Sequence, residues 1–361
     1  MTTRESSFGA SRVPVAVLGA TGAVGQAFVR LLASHPWFEL VEVAASERSA
    51  GKPYAEAVTW IGDDPIPPAI AGLTVQLSSP AHIRSPVVFS ALDAAAAGEA
   101  EPAFAKSDRI VLTNARNFRM EPDVPLVIAE VNPDHLDILA TQRKQRGWPG
   151  AIVANGNCAV IVAAMALAPV QQRYGVRRVF ISTMQAVSGA GYPGVASMDI
   201  LGNVIPYIKD EEPKVEAELC KFLGLRESDH IQHAAMVVSA HTSRVPVQHG
   251  HTVVMSVEMT RRADAAEVEA HLGNWRGAPE ACRLPSSPER PLAVFKEPDR
   301  PQPRRDVDLG KGMTVSVGRV RRDTLFDVRL VAMGHNIIRG AAGASVLNAE
   351  LMASTGRIPK P

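Results

Sequence analysis

Cysteine is scarce in this chain. Three in 361 residues, Cys158, Cys220 and Cys282, are too few and too scattered for a disulfide framework or a zinc cluster. No metal site is expected, and a reducing compartment, the cytoplasm, fits. A bias toward one charge is also missing. With 38 Lys and Arg against 37 Asp and Glu, the net charge of +1 gives no electrostatic case for nucleic acid or an anionic membrane. No run approaches the roughly 20 apolar residues needed to cross a bilayer. Met1 to Arg12 contain no stretch resembling a signal peptide, and there are no internal repeats. What is left is a soluble chain whose 46% hydrophobic content can fill two cores, so two domains are expected.

Val13 to Leu18 is a short apolar run. Gly19-Ala-Thr-Gly22-Ala-Val-Gly25 follows, then Gln26 to Ala33 at helical spacing and a second apolar run, Leu40 to Ala45. Strand, glycine turn, helix and strand make the first unit of a doubly wound α/β fold. In such a turn the first glycine permits the bend and the second lets a pyrophosphate approach the backbone. The third lets the helix pack on the strand, and the helix N-terminus supplies partial positive charge. A dinucleotide cofactor is therefore expected, and the end of the second strand selects which. Ser46-Glu-Arg48-Ser49-Ala-Gly-Lys52 offers two cations and two hydroxyls suited to a 2′-phosphate, with Glu47 as the dissenting carboxylate. NADP is expected over NAD.

Further strands are expected at Val87 to Ala91, Ile110 to Leu112 and Val124 to Ile128, with a helix over Ala94 to Lys106. Beyond Cys158 the texture changes. Ala159 to Val170 predicts a buried helix, and Val179 to Thr183, Val237-Val238 and Val253 to Glu258 predict strands, the last two of a different sheet. Pro285 to Pro303 predicts a surface loop, and Gly340 to Met352 a helix of small residues suited to close packing.

Asn155-Gly156-Asn157-Cys158 places a cysteine after a glycine-broken turn, with Arg244-Val-Pro-Val-Gln-His249-Gly250-His251 downstream. This is the minimal signature of a thiol nucleophile and its base. Beside a hydride-carrying cofactor, it points to an enzyme that passes an acyl group through a thioester and reduces or oxidises it. Cys220 and Cys282 lack such a setting. His241, His249 and His251 all fit as the base on spacing alone.

The glycine turn, Ser46 to Lys52, Asn114 to Arg119, Asn157-Cys158 and Met184 to Gly191 together resemble the aspartate-semialdehyde dehydrogenase family, especially its archaeal and fungal branch. Gly202 to Ile208, Arg244 to His251 and Gly334 to Ala342 extend the resemblance over about residues 13 to 352. It implies a Rossmann-like domain, residues 1–156 plus a C-terminal helix from 340 to 361. An α+β catalytic and dimerisation domain, 157–339, would follow, the whole in the manner of glyceraldehyde-3-phosphate dehydrogenase. Its sheet would help build a homodimer, possibly paired into a tetramer.

The resemblance also implies roles. Cys158 matches the nucleophile, its thiolate stabilised by the helix dipole and a nearby imidazolium. The family's arginine, seven residues before its histidine, selects Arg244 with His251, and Gln185 orients the acyl group. Arg119 and Lys214 would bind phosphate, with Asn114 and Asn157 lending amide donors. Arg244 would take the α-carboxylate, and Glu211, rather than Glu212, the substrate amine. Cofactor contacts would come from Gly19, Thr21, Gly22, Ala23, Val24 and Gly25, from Ser46, Arg48, Ser49 and Lys52, and from Ser90, Ala91, Ser188, Gly189 and Asn336.

The implied reaction reduces L-aspartyl 4-phosphate to L-aspartate 4-semialdehyde with NADPH, releasing phosphate. A malonyl-CoA reductase branch shares the scaffold, and a catalytically silent NADP-binding paralog is the reading from outside the enzymes. Two positions depart from the branch pattern: Gly156 stands where proline is common, loosening the turn, and Ala159 where Ser or Thr commonly follows the cysteine. The missing hydroxyl removes a hydrogen bond worth ~1 kcal/mol.

Overall fold

The computed structural model describes residues 12–358; the segment Met1 to Arg12, expected to lack a signal peptide, lies, except for Arg12, outside the described residues. Two six-stranded sheets are joined through one buried helix. The first holds β1 (Val13–Leu18), β2 (Phe38–Ala45), β3 (Gln76–Leu77), β4 (Val87–Ser90), β5 (Ile110–Thr113) and β6 (Ala151–Ala154). Its strands are all parallel, in the order β3-β2-β1-β4-β5-β6. Strands β4, β5 and β6 are buried at every residue, as continuous apolar runs in a parallel sheet must be. Strand order reverses between β1 and β4, and a ligand crevice opens outside the carboxyl ends of the strands at such a point.

Chain positions 124 to 128 were expected to be a strand and are not. Pro125 has no N–H to give a ladder, and the segment only runs beside β6, with Val127 N donating to Ala154 O at 3.1 Å. β6 itself, Ala-Ile-Val-Ala, is a strand that no sequence expectation covered.

The second sheet is mixed. It comprises β7 (Val176–Gln185), β10 (Val237–Arg244), β11 (His251–Met259), β12 (Leu292–Phe295), β13 (Val315–Arg322) and β14 (Val328–Gly334), ordered β10-β7-β11-β14-β13-β12. A two-residue ribbon, β8 (Leu225–Arg226) with β9 (Ile231–Gln232), lies outside it. Strand β12 falls within the Pro285 to Pro303 segment expected to be a loop, because Leu292 is buried against β13. One sheet face packs on the helix Cys158–Tyr174. The opposite face leaves Phe180 and Met184 of β7 and Val237 of β10 exposed, at 36%, 40% and 63%.

The helix Cys158–Tyr174 is the keystone. It is buried almost throughout and sits in one core with Val88 and Ile152 of the first sheet and Val253, Met255 and Leu330 of the second. A second core lies on the other face of β1. There Phe28 and Leu32 of the first helix (Ala23–Leu32) meet Val346, Leu347 and Met352 of the last (Gly343–Ser354). A single π-turn, Ile338–Ala342, leads into that last helix.

Candidate active site

The helix bearing Cys158 starts where Asn157 caps it. Asn157 Oδ1 accepts from the backbone N–H of Ala159 (2.9 Å) and of Val160 (3.2 Å), which makes Cys158 the first helical residue. Gly156 does not loosen this turn, as the sequence suggested. A Cβ there would enter the Phe222 ring, so glycine is what lets the turn press against the helix Glu211–Phe222.

His251 is the first residue of β11, between β7 and β14, and its Nε2 lies 3.1 Å from Cys158 Sγ. The Ala186 backbone N–H donates to Nδ1 at 3.1 Å. A ring accepting at Nδ1 keeps its neutral-state proton on Nε2, where it points at sulfur; the tautomer is assigned from this network. The other two histidines are elsewhere. His241 is exposed against the Phe180 ring, and His249 meets Ser188 Oγ at 3.0 Å.

Electrostatics correct one expectation. Burial, with Arg244 and His335 adding to it, pushes the His251 ring down to about 3. Burial, then the Glu211 carboxylate, push the Cys158 thiol up to about 12, against the pull of Arg119 and Arg244. Although Cys158 opens on the crevice and is only half-buried, the protein packed around it denies the thiolate water. The pair is therefore a neutral thiol beside a neutral imidazole, not the thiolate–imidazolium pair expected from the sequence.

Cys158 faces a cavity of about 420 Å³ at the crevice between the two sheets. Arg119, Lys214, Arg244, Glu211, Gln185, Asn114 and Asn157 line it too. Glu211 is the hub: Oε1 accepts from Asn157 Nδ2 (2.7 Å) and Gln185 Nε2 (3.0 Å), and Oε2 from Lys214 Nζ (3.3 Å). Glu212 instead accepts the Thr242 N–H outside the cavity. Arg244 is buried with Nη1 on Ala186 O (2.8 Å), and burial lowers its pKa. Asn114 is partly spent, its Oδ1 accepting from Asn155 Nδ2 at 2.9 Å.

The cofactor residues form two groups. Ala23, Val24, Ser188, Gly189 and Asn336 line the same cavity, with Asn336 Nδ2 donating to Ser188 Oγ at 2.8 Å. Behind them Gly19 has φ +68°, and a Cβ on it would lie 2.6 Å from Ala91 O; a Cβ on Gly25 would strike Gly19 O. Gly22 is exposed, next to Thr21, and the first helix carries no side-chain cap, so its N–H groups are free for an anion. Ser46, Arg48 and Lys52 are exposed on the turn after β2 and Ser49 is half-buried there, while Ser90 is buried at the end of β4. This cradle fits a dinucleotide.

Two cavity-lining cations escaped the sequence reading, Lys209 and Arg116, the latter 3.2 Å from Asp210. So did Glu218 and Lys221, though with Glu211 and Lys214 they fall at spacings of three, seven and ten along one helix face, a signal the sequence did carry.

Among the described residues no helix is long and apolar enough to cross a membrane. Residues 14–139 match the model of the semialdehyde dehydrogenase NAD-binding domain, and 167–339 that of the semialdehyde dehydrogenase dimerisation domain. The chain is 48% identical over 341 residues to an aspartate-semialdehyde dehydrogenase of Archaeoglobus fulgidus, covering 94% of this chain and 98% of that one. The aspartate-semialdehyde dehydrogenase of Candida albicans, solved with NADP, superposes with a TM-score of 0.88 at 39% identity, covering 96% of this chain and 99% of that one. A Vibrio cholerae aspartate-semialdehyde dehydrogenase II, solved in complex with ASA, gives 0.74 at 26% identity, covering 95% and 99%. With an NAD-binding domain, a dimerisation domain and a cysteine–histidine pair at the crevice between them, the chain belongs to the aspartate-semialdehyde dehydrogenase family, a family of oxidoreductases.

Proposed function

We propose that this chain reduces L-aspartyl 4-phosphate to L-aspartate 4-semialdehyde, with release of phosphate, using NADPH. The observation that carries the reading is Cys158 Sγ, 3.1 Å from His251 Nε2, on a cavity that holds Arg119, Lys214, Arg244 and Glu211 together. Three cations and one carboxylate suit a substrate with two anionic groups and an ammonium. A planar guanidinium at Arg244 suits the α-carboxylate, and Glu211 suits the amine.

Cys158 sulfur attacks the acyl carbon, and the carbon–oxygen bond to phosphate breaks. The thiol proton leaves on the phosphate, His251 Nε2–H steadies the sulfur, and Arg119 and Lys214 receive the departing phosphate. The product is a Cys158 thioester, electrophilic where the free carboxylate is not. When bound, NADPH supplies the hydride that reduces the thioester carbon. Breaking the carbon–sulfur bond then frees the semialdehyde and the Cys158 thiolate, to which His251 Nε2–H donates.

The domains divide at about residue 156, with the helix from about 340 returning to the first. The exposed β7–β10 face supports a homodimer, and a balanced charge and scarce cysteine support the cytoplasm. In the reverse assay, phosphate, NADP and L-aspartate 4-semialdehyde should yield NADPH. Cys158→Ser should lose several orders of magnitude in kcat with its circular dichroism unchanged. Oxidation of malonate semialdehyde that needs coenzyme A instead of phosphate would overturn the reading, as would near-normal turnover by the serine variant.

A further inference from the structure

Behind the cavity wall a second carboxylate, Glu218, links both halves of the proposed site. It is only 2% exposed. One oxygen, Oε1, accepts from Arg119 Nη1 at 2.9 Å, and the other, Oε2, accepts the backbone N–H of Asn157 at 2.6 Å. Arg119 belongs to the loop after β5, while Asn157 caps the helix that presents Cys158. A single buried group thus sets a cation from one segment against the nucleophile turn of another. A residue serving the fold alone has no need to join these two partners.

The rest of Arg119 is held so as to leave donors over. Its Nη2 bonds Asn114 O at 2.7 Å, and its Nε is buried with no hydrogen-bond partner among the described residues. One helical turn beyond Glu218, Lys221 Nζ donates to the carbonyls of Arg119 (2.8 Å), Glu121 (2.7 Å) and Val124 (2.9 Å), fixing the backbone of the same loop. Glu211 and Lys214, on the same helix face, line the cavity itself. The face therefore has a substrate end and a bracing end.

We propose that Glu218 is a positioning residue for phosphate. It holds the Arg119 guanidinium at a set place relative to Cys158, and so orients the leaving phosphate without touching it. The inference rests on the function proposed above. A carboxylate answers two donors, whereas a glutamine offers one acceptor oxygen and turns N–H groups toward the other donor. Buried, that mismatch has no water to relieve it.

The test uses the NADP-saturated full chain in the phosphate-dependent direction. E218Q should raise the KM for phosphate at least tenfold while the KM for NADP stays within twofold. E218D keeps the charge but shortens the reach by one methylene, and should fall between. In an R119A background E218Q should add less than threefold, since the residue it positions is gone. Phosphate should also protect Cys158 from iodoacetamide in the wild type and much less in E218Q. A lowered melting temperature with an unchanged KM for phosphate would make Glu218 a strut and overturn the proposal. So would failure of both single variants to fold. If the wild type shows no phosphate-dependent turnover, the functional reading fails first and takes this inference with it.

Discussion

At the residue scale, desolvation decides how the nucleophile behaves before substrate arrives. A thiol pushed up to about 12 is protonated at neutral pH, and a ring pushed down to about 3 is uncharged. The raised thiol value means that the reactive thiolate becomes populated only as pH climbs well past the range of a free cysteine. Alkylation of Cys158 by iodoacetamide in the substrate-free chain should therefore be slow at pH 7 and still rising at pH 10, as followed by mass spectrometry. A plateau below pH 8 would mean that a thiolate–imidazolium pair exists after all. Arg119 and Arg244 pull the thiol down, so the pocket cations should speed the same reaction.

At the element scale, the turn after β2 carries the choice of cofactor. Ser46, Arg48 and Lys52 are exposed there and Ser49 half-buried, at the carboxyl end of a strand next to β1 and its glycine turn. A charge-assisted hydrogen bond is worth roughly 1.5 to 3 kcal/mol, and each roughly 1.4 kcal/mol is a tenfold change in affinity. Arg48→Ala should raise the KM for NADPH about tenfold or more and move the NADPH/NADH preference toward unity. Because the side chain is exposed, the melting temperature should not follow. Equal weakening of both cofactors would assign Arg48 to loop support, and a wild-type preference for NADH would make Glu47 the selector.

Across the whole molecule, the unshared face of the second sheet is the feature that calls for a partner. Phe180, Met184 and Val237 stand exposed on adjacent strands of the segment matching a dimerisation domain. Burying such side chains contributes about 1.5–3 kcal/mol each, so a charge placed among them should cost far more than a surface substitution elsewhere. Phe180→Glu should shift the chain from dimer toward monomer at micromolar concentration in sedimentation velocity. A wild type that is already monomeric there would remove the dimer from the account.

Much of the first domain was legible because its chemistry is local. β1, β2, β4 and β5 are apolar runs bounded by turn residues, and Gly19 announces its bend through the only residue type that takes φ +68° without strain. The helix Ala94–Lys106 could be read to its ends, since Asp93 caps it and the run is rich in alanine. The short Ala-Ile-Val-Ala of β6 could not be told from helix by periodicity, and Leu292 to Phe295 was hidden in a proline-rich segment. The sequence by itself determined that a cysteine and several histidines were candidates, because reactive residue types and turn residues are written in the chain, and its family resemblance added Gln185 and Arg244. Spacing left His241, His249 and His251 open and the family resemblance chose His251, but only the tertiary structure brought that ring to Cys158, through the pairing of β11 with β7 and β14. It alone decided that the thiol rests protonated and that Glu218 meets both Arg119 and Asn157. Proximity and desolvation belong to the packed fold, and neither exists in the chain until strands from distant segments share one sheet.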